Sequence, residues 1–146
     1  MFSSRFLLRI IVIASLVGLI ISGYSFLHNR SIVSGTFCNI NSEFSCDVVN
    51  RGPYSVIAGI PVALIGVVGY AFIFFGAIAK IIHPHDRGLS TFLASASIAG
   101  FAFSLYLTGI EAFVLDTWCV LCLTSQAGIF VATIASCQLW YRERIA

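Results

Sequence analysis

Five cysteines occur in this chain, and four of them fall into two pairs: Cys38 with Cys46, and Cys119 with Cys122 in the run Cys-Val-Leu-Cys. Residues at i and i+3 share one face of a helix, so Cys119 and Cys122 are close enough to bridge. Thr117 is a suitable N-cap for that helix and would put Cys119 in its first turn. The unsatisfied amides and the positive end of the helix dipole suit a thiolate there. Cys38 and Cys46 lie in a polar loop and could bridge each other or either member of the second pair, since four cysteines permit about three pairings. The chemistry open to such a set is a relay. A thiolate attacks a disulfide sulfur, a mixed disulfide forms, and a second thiol resolves it. An exposed outer pair on a mobile loop can meet a protein partner, while an inner pair at a membrane edge can meet a lipid-soluble acceptor. Two blander readings compete. Static disulfides could staple the loop, or four thiolates could hold zinc, although zinc pairs usually have only about two to four residues between the cysteines. Cys137 stands apart and reads as a small buried hydrophobe.

The elements that must position these thiols are read from hydropathy. Of 146 residues, 59% are hydrophobic and 10% charged, and the mean hydropathy is +0.99. A soluble domain of this size could not hide that much apolar surface, so most of the chain has lipid as its solvent. Four stretches reach the roughly 20 apolar residues a spanning helix needs: 7–27, 55–82, 89–113 and 118–141. The first has Arg5 and Arg9 at its head but is too long for a signal-peptide core and lacks a good cleavage site, so it reads as a retained helix. The expected fold is all-α, one membrane domain over 1–146: a four-transmembrane-helix bundle with an outward-facing capping loop, 28–54, between its first two helices.

Charge sets the orientation. Arg5, Arg9, Lys80, Arg87, Arg142 and Arg144 are six of the eight Lys/Arg and fall on one side. The positive-inside rule puts that side, with both termini, in the cytoplasm. All four paired cysteines then face the periplasm, the exterior or an organelle lumen, where disulfides persist. Nothing here points to nucleic acid, and no phosphate-cradling loop is present.

Several other residues need weighing. Within the long loop, Ser45 to Val49 could form a short surface helix, with Val48 and Val49 dipping into the interface. Ser55, at the start of the second spanning stretch, reads as its N-cap. Glu111, near the end of the third helix, reads as an interface anchor more readily than as a functional acid. Tyr54, Tyr106 and Trp118 could rim a ligand or belong to the interfacial aromatic belt. His28, His83 and His85 read as loop residues. Gly59, Gly66, Gly69 and Gly76 suit close helix packing, and Pro61 suggests a local kink.

The order of these features resembles the vitamin K epoxide reductase family in its short prokaryotic form. The resemblance is carried by Cys38 and Cys46, then Ser55-Val56-Ile57-Ala58-Gly59-Ile60-Pro61, then Tyr106-Leu107-Thr108-Gly109-Ile110-Glu111, and Trp118-Cys119 through Cys122 to Leu123-Thr124-Ser125. It implies that Cys38 takes electrons from a separate thioredoxin-like partner on the outer side. Cys46 would attack Cys119, and Cys122 would pass the electrons to a quinone of the menaquinone, ubiquinone or vitamin K type. Ser55, Tyr106 and Gln126 are the residues it suggests near the quinone head. Gln126 stands where the animal enzymes have a tyrosine, which puts epoxide reduction in doubt and leaves quinone reduction intact. The chain's end at Ala146 leaves no fused thioredoxin-like domain in this sequence. The DsbB type of disulfide oxidase shares the chemistry but carries its cysteine pairs in the reverse order. From another class, the alternative is a noncatalytic four-helix scaffold or transporter subunit with static disulfides.

Overall fold

The computed structural model describes residues 2–34 and 38–146; residues 35–37, inside the expected redox loop, lie outside the described residues. Helix α1 runs Ser4–Asn29, a short α2 covers Cys46–Arg51, and α3, α4 and α5 cover Val62–Ile82, Arg87–Ile110 and Val120–Ile145. A π-helical turn, Glu111–Leu115, extends α4. The four long helices α1, α3, α4 with its π-turn, and α5 are each long and apolar enough to cross a membrane. Together they form the all-α bundle expected.

Both faces of these helices are apolar, because one faces protein and the other lipid. Leu7, Ile11, Ile73, Ala77, Leu93, Ile129 and Leu139 form the inner core. Ile13, Ile20, Phe72, Phe75 and Phe130 point outward and are exposed. In lipid, helices associate through close packing rather than hydrophobic exclusion, so small residues sit at the contacts. Gly18 of α1 faces the ring of Tyr70, Gly66 faces Ser22, and Gly76 faces Phe92 and Leu93.

The second spanning helix starts later than its sequence suggests. It begins at Val62 rather than Ser55, so Ser55 is not its N-cap. A 3-10 turn, Pro53–Ser55, comes first, followed by a two-residue hairpin in which β1 (Val56–Ile57) pairs antiparallel with β2 (Ile60–Pro61). Ala58 and Gly59 make its turn with φ of +52° and +82°, the left-handed conformation that such tight hairpins demand. Pro61 lacks an N–H, so it ends this hairpin and stands at the helix start, where the missing donor costs nothing. No kink within α3 follows from it.

At the end of the bundle away from the four paired cysteines, α3 and α4 are joined by a short turn. The Asp86 side chain accepts the Gly88 N–H at 2.8 Å and caps α4. Lys80 is buried there and donates to the carbonyls of Pro84 and Asp86 at 2.9 and 2.8 Å. Its Nζ also lies 2.8 Å from Glu143 Oε1 on α5. The Arg142 guanidinium, also on α5, donates to the carbonyl of Phe2.

Candidate active site

The redox loop is tied to the α4–α5 connection by backbone hydrogen bonds. Phe44 and Trp118 form a parallel β-bridge. Trp118 N–H donates to Glu43 O at 2.7 Å, and Ser45 N–H donates to Trp118 O at 3.1 Å. Cys46 directly follows Ser45 and Cys119 directly follows Trp118, so these bonds bring Cys46 to Cys119. Asn41 folds the approach: its Oδ1 accepts the N–H groups of Glu43 and Phe44, each at 2.9 Å. Asn39, beside Cys38, donates from Nδ2 to Asp47 Oδ2 at 2.6 Å, and Asp47 is beside Cys46.

Cys38 and Cys46 are joined as a disulfide with their Cα atoms 5.6 Å apart. Cys119 and Cys122 are free thiols. The Cys46 and Cys119 sulfurs are 3.5 Å apart, and the sulfurs of Cys38, Cys46 and Cys119 all lie within 4.8 Å of one another. Cys119, not Thr117, is the N-cap of α5, and its Sγ accepts the Cys122 N–H at 3.3 Å. Thr117 instead donates to Leu115 O at 3.1 Å. The thiols also differ from expectation in their exposure. Cys38, Cys46 and Cys119 are all buried, because the loop folds back on the α4–α5 connection and Val49 and Leu121 pack over the sulfurs.

Glu111 completes this cluster. The sequence suggested an interface anchor, yet its side chain is only 3% exposed. It opens the π-turn, a distortion often found at functional sites. Its Oε2 accepts the Cys119 N–H at 3.1 Å, and its carboxyl lies against the Cys122 thiol. The wider turn and left-handed Asp116 (φ +49°) swing the chain round so that Glu111, eight residues earlier, meets Cys119. His28 is likewise no loop residue. It lies in the last turn of α1, fully buried, with Nε2 2.8 Å from Asp47 Oδ1.

Cys122 stands on the wall of a cavity of about 470 Å³ lined by residues of α1, α3, α4 and α5. Its lining is mainly apolar, with Phe92, Phe103 and Ile73 along its length. Its polar corner holds Gln126, Thr108, Ser125 and Glu111. Thr108 Oγ1 donates to Gln126 Oε1 at 2.7 Å. Tyr70 OH, farther along, donates to Ser125 O at 2.6 Å. A smaller space of about 50 Å³ next to it is lined by Ser55, Tyr54, Glu111 and Cys122.

Gln126 therefore shares the large cavity with Cys122, and Ser55 shares the small one. Ser55 is buried, and its hydroxyl donates to Gly52 O at 2.7 Å. Tyr106 is brought to neither: it is 60% exposed, its ring stacked near that of Phe103. That exposure puts it on the outer surface of the bundle. Tyr70 drew no notice in the sequence, since an aromatic in an apolar run looks like any other core residue. Glu111 offered one signal, a lone acid at the end of a spanning segment.

No curated protein matches the sequence. The chain does match the Vitamin K epoxide reductase family over residues 9–137, which is most of its length. A disulfide, a free thiol 3.5 Å from it with a second one turn on, and four spanning helices are the parts that such a membrane thiol–disulfide oxidoreductase requires. This multi-pass membrane protein belongs to the vitamin K epoxide reductase family.

Proposed function

We propose that this chain is a thiol–quinone oxidoreductase that keeps a disulfide-introducing partner oxidised. The observation that carries this reading is the 3.5 Å approach of Cys46 Sγ to Cys119 Sγ, with Cys122 on the wall of the large apolar cavity. One thiol of a separate thioredoxin-like protein would attack Cys38, opening the Cys38–Cys46 bond; the partner's second thiol would then close the partner's own disulfide and free Cys38. The released Cys46 thiolate then attacks Cys119 across the short gap when Cys119 and Cys122 are bonded to each other. That exchange leaves Cys122 as the thiol facing the cavity, and closure of Cys38–Cys46 returns Cys119 to its thiol. The pattern described, outer pair bonded and inner pair free, is the form in which the inner pair holds two electrons.

The lining of the cavity supports a quinone as the acceptor. A flat, apolar head with two carbonyl acceptors needs an apolar slot and a few donors. Because Thr108 donates to Gln126 Oε1, the Gln126 amide N–H groups are left to donate to a carbonyl. Ser55, on the smaller space beyond Cys122, is the second polar group at this mouth. Tyr106, outside both spaces, takes no part in this reading. A bound quinone supplies an acceptor for two electrons and two protons.

Charge favours a plasma-membrane orientation, or an endoplasmic-reticulum one, with the six-cation end of the bundle in the cytoplasm and the thiols outside. Oxidation of secreted thiols belongs on that outer side. The test is quinone reduction by purified protein with a reduced thioredoxin-like donor, wild type against Cys122→Ser. The expected result is turnover by the wild type, none by Cys122→Ser, and a trapped Cys46–Cys119 mixed disulfide in the variant. A wild type inert with several quinones and donors would leave a disulfide-stapled scaffold as the better account.

A further inference from the structure

Glu111 is an unusual residue to find where it is. Of the six acids in the chain, it alone among the described residues lines the two cavities. It is 3% exposed, and no Lys, Arg or His of the described residues pairs with it. A buried carboxyl without a cation is costly, and ionisable groups at such depth usually serve a function. Holding the Cys119 N–H at 3.1 Å is one service, but a neutral amide would do that as well and at lower cost. What an amide cannot do is carry a proton.

The chemistry at the inner pair has protons to move. When Cys119 and Cys122 close to a disulfide, two S–H bonds break, one S–S bond forms, and two electrons and two protons leave. On a quinone acceptor both electrons and both protons end on its two carbonyl oxygens as O–H bonds. The cavity is lined mainly by apolar side chains, which hold water poorly, so a protein group is the better carrier there. Glu111 touches both ends of this transfer. Its carboxyl lies against the Cys122 thiol and bonds the Cys119 backbone, and it faces the space that holds Gln126.

We propose that Glu111 is the proton carrier of the inner pair: it takes each thiol proton as the Cys119–Cys122 bond forms and delivers it to the reduced acceptor. This rests on the thiol–quinone reading above. One carboxylate serves both protons in turn, being protonated by a thiol and released by the acceptor oxygen each time, so it ends as it began. General acid–base groups of this kind contribute about 10²- to 10⁴-fold to rate.

The variant to make is Glu111→Gln, which keeps an acceptor for the Cys119 N–H, with Glu111→Asp beside it. For Glu111→Gln, kcat for a short-chain quinone should fall about 100-fold while KM stays within about twofold. Glu111→Asp, a shorter carrier, should recover at least about a tenth of wild-type turnover. A second readout needs no quinone. The infrared difference spectrum between the reduced and oxidised protein should carry a carboxyl signal, because the thiol contact is lost when the disulfide forms, and Glu111→Gln should remove it. A Glu111→Gln protein that turns over within about threefold of wild type would reduce Glu111 to a prop for Cys119 and overturn the proposal. So would a carboxyl signal that survives in that variant. Wild type inert towards every quinone would instead sink the reading beneath it, and the two failures are told apart by the wild-type assay.

Discussion

At the scale of single residues, the cavity's polar corner works as a coupled pair. Thr108 on α4 fixes the amide of Gln126 on α5 by donating to its oxygen at 2.7 Å. A hydrogen bond of this kind contributes about 0.5–1.5 kcal/mol net, which corresponds to roughly two- to tenfold in affinity. Gln126→Leu should therefore raise the KM for quinone about tenfold, and Thr108→Val about threefold, because the amide is then free to turn. The double variant should be no worse than Gln126→Leu alone, and steady-state kinetics of the four proteins would show that non-additivity. Additive losses would mean that Thr108 acts independently of Gln126. Residue type and spacing point to the four cysteines, and the family resemblance to Gln126, which lines the same cavity as Cys122. Glu111 was legible only as an odd acid, because its burial depends on a π-turn and a left-handed Asp116, neither of which has a pattern in hydropathy. The burial of Cys38 and Cys46 was illegible for a related reason: the β-bridge that covers them joins residues more than 70 positions apart, Phe44 and Trp118.

At the scale of elements, the decisive contact is between α2 and the end of α1. His28 lies in the last turn of α1, its Nε2 2.8 Å from Asp47 Oδ1. Arg51, one turn on in α2, donates from Nε to the His28 carbonyl at 3.3 Å and stands 3.8 Å from Asp47. Asn29 donates from Nδ2 to Asn50 O in the same seam. These bonds strap the loop that carries Cys46 to a spanning helix, so Cys46 meets Cys119 without a search. Hydrogen bonds to charged groups are worth about 1.5–3 kcal/mol, and half-exposed Asp47 and Arg51 place this seam at the lower end. His28→Ala should speed amide hydrogen exchange over residues 38–51 by about tenfold, with little change over α3 and α5. Unchanged exchange in that segment would show that the β-bridge to Trp118 holds the loop by itself. The sequence supports a long first helix but not this seam, since α2 must first dock before His28 is buried. The start of α3 at Val62 was equally hidden, because Val56, Ile57 and Ile60 are as apolar in a hairpin as in a helix.

At the scale of the whole molecule, the bundle has two ends with different chemistry. Thiols and Glu111 occupy one, and Lys80, Glu143, Ser90 and Arg142 occupy the other. Lys80 is 1% exposed, and besides its pair with Glu143 it donates to the Pro84 and Asp86 carbonyls. Ser90 Oγ donates to the other Glu143 oxygen at 2.6 Å. Three helices, α3, α4 and α5, are thereby locked at that end through one carboxylate. Removing one partner of a buried ion pair costs about 3–5 kcal/mol, because the other is left charged and alone; Glu143 keeps some solvent contact, so about 2–3 kcal/mol is expected here. Lys80→Met should lower stability in detergent by that amount, measured by denaturant unfolding. Adding Glu143→Leu to it should restore most of the loss, since two apolar side chains fill the same space without stranding a charge. The thiol end should not register either change: Cys46 and Cys119 are held by the Phe44–Trp118 bridge and the His28 seam, neither of which contacts Lys80. Quinone turnover at a temperature where every variant is folded should thus stay within about twofold of wild type. A fall in turnover that tracks the fall in stability would show instead that the two ends move together, and that the distant ion pair helps set the 3.5 Å sulfur gap.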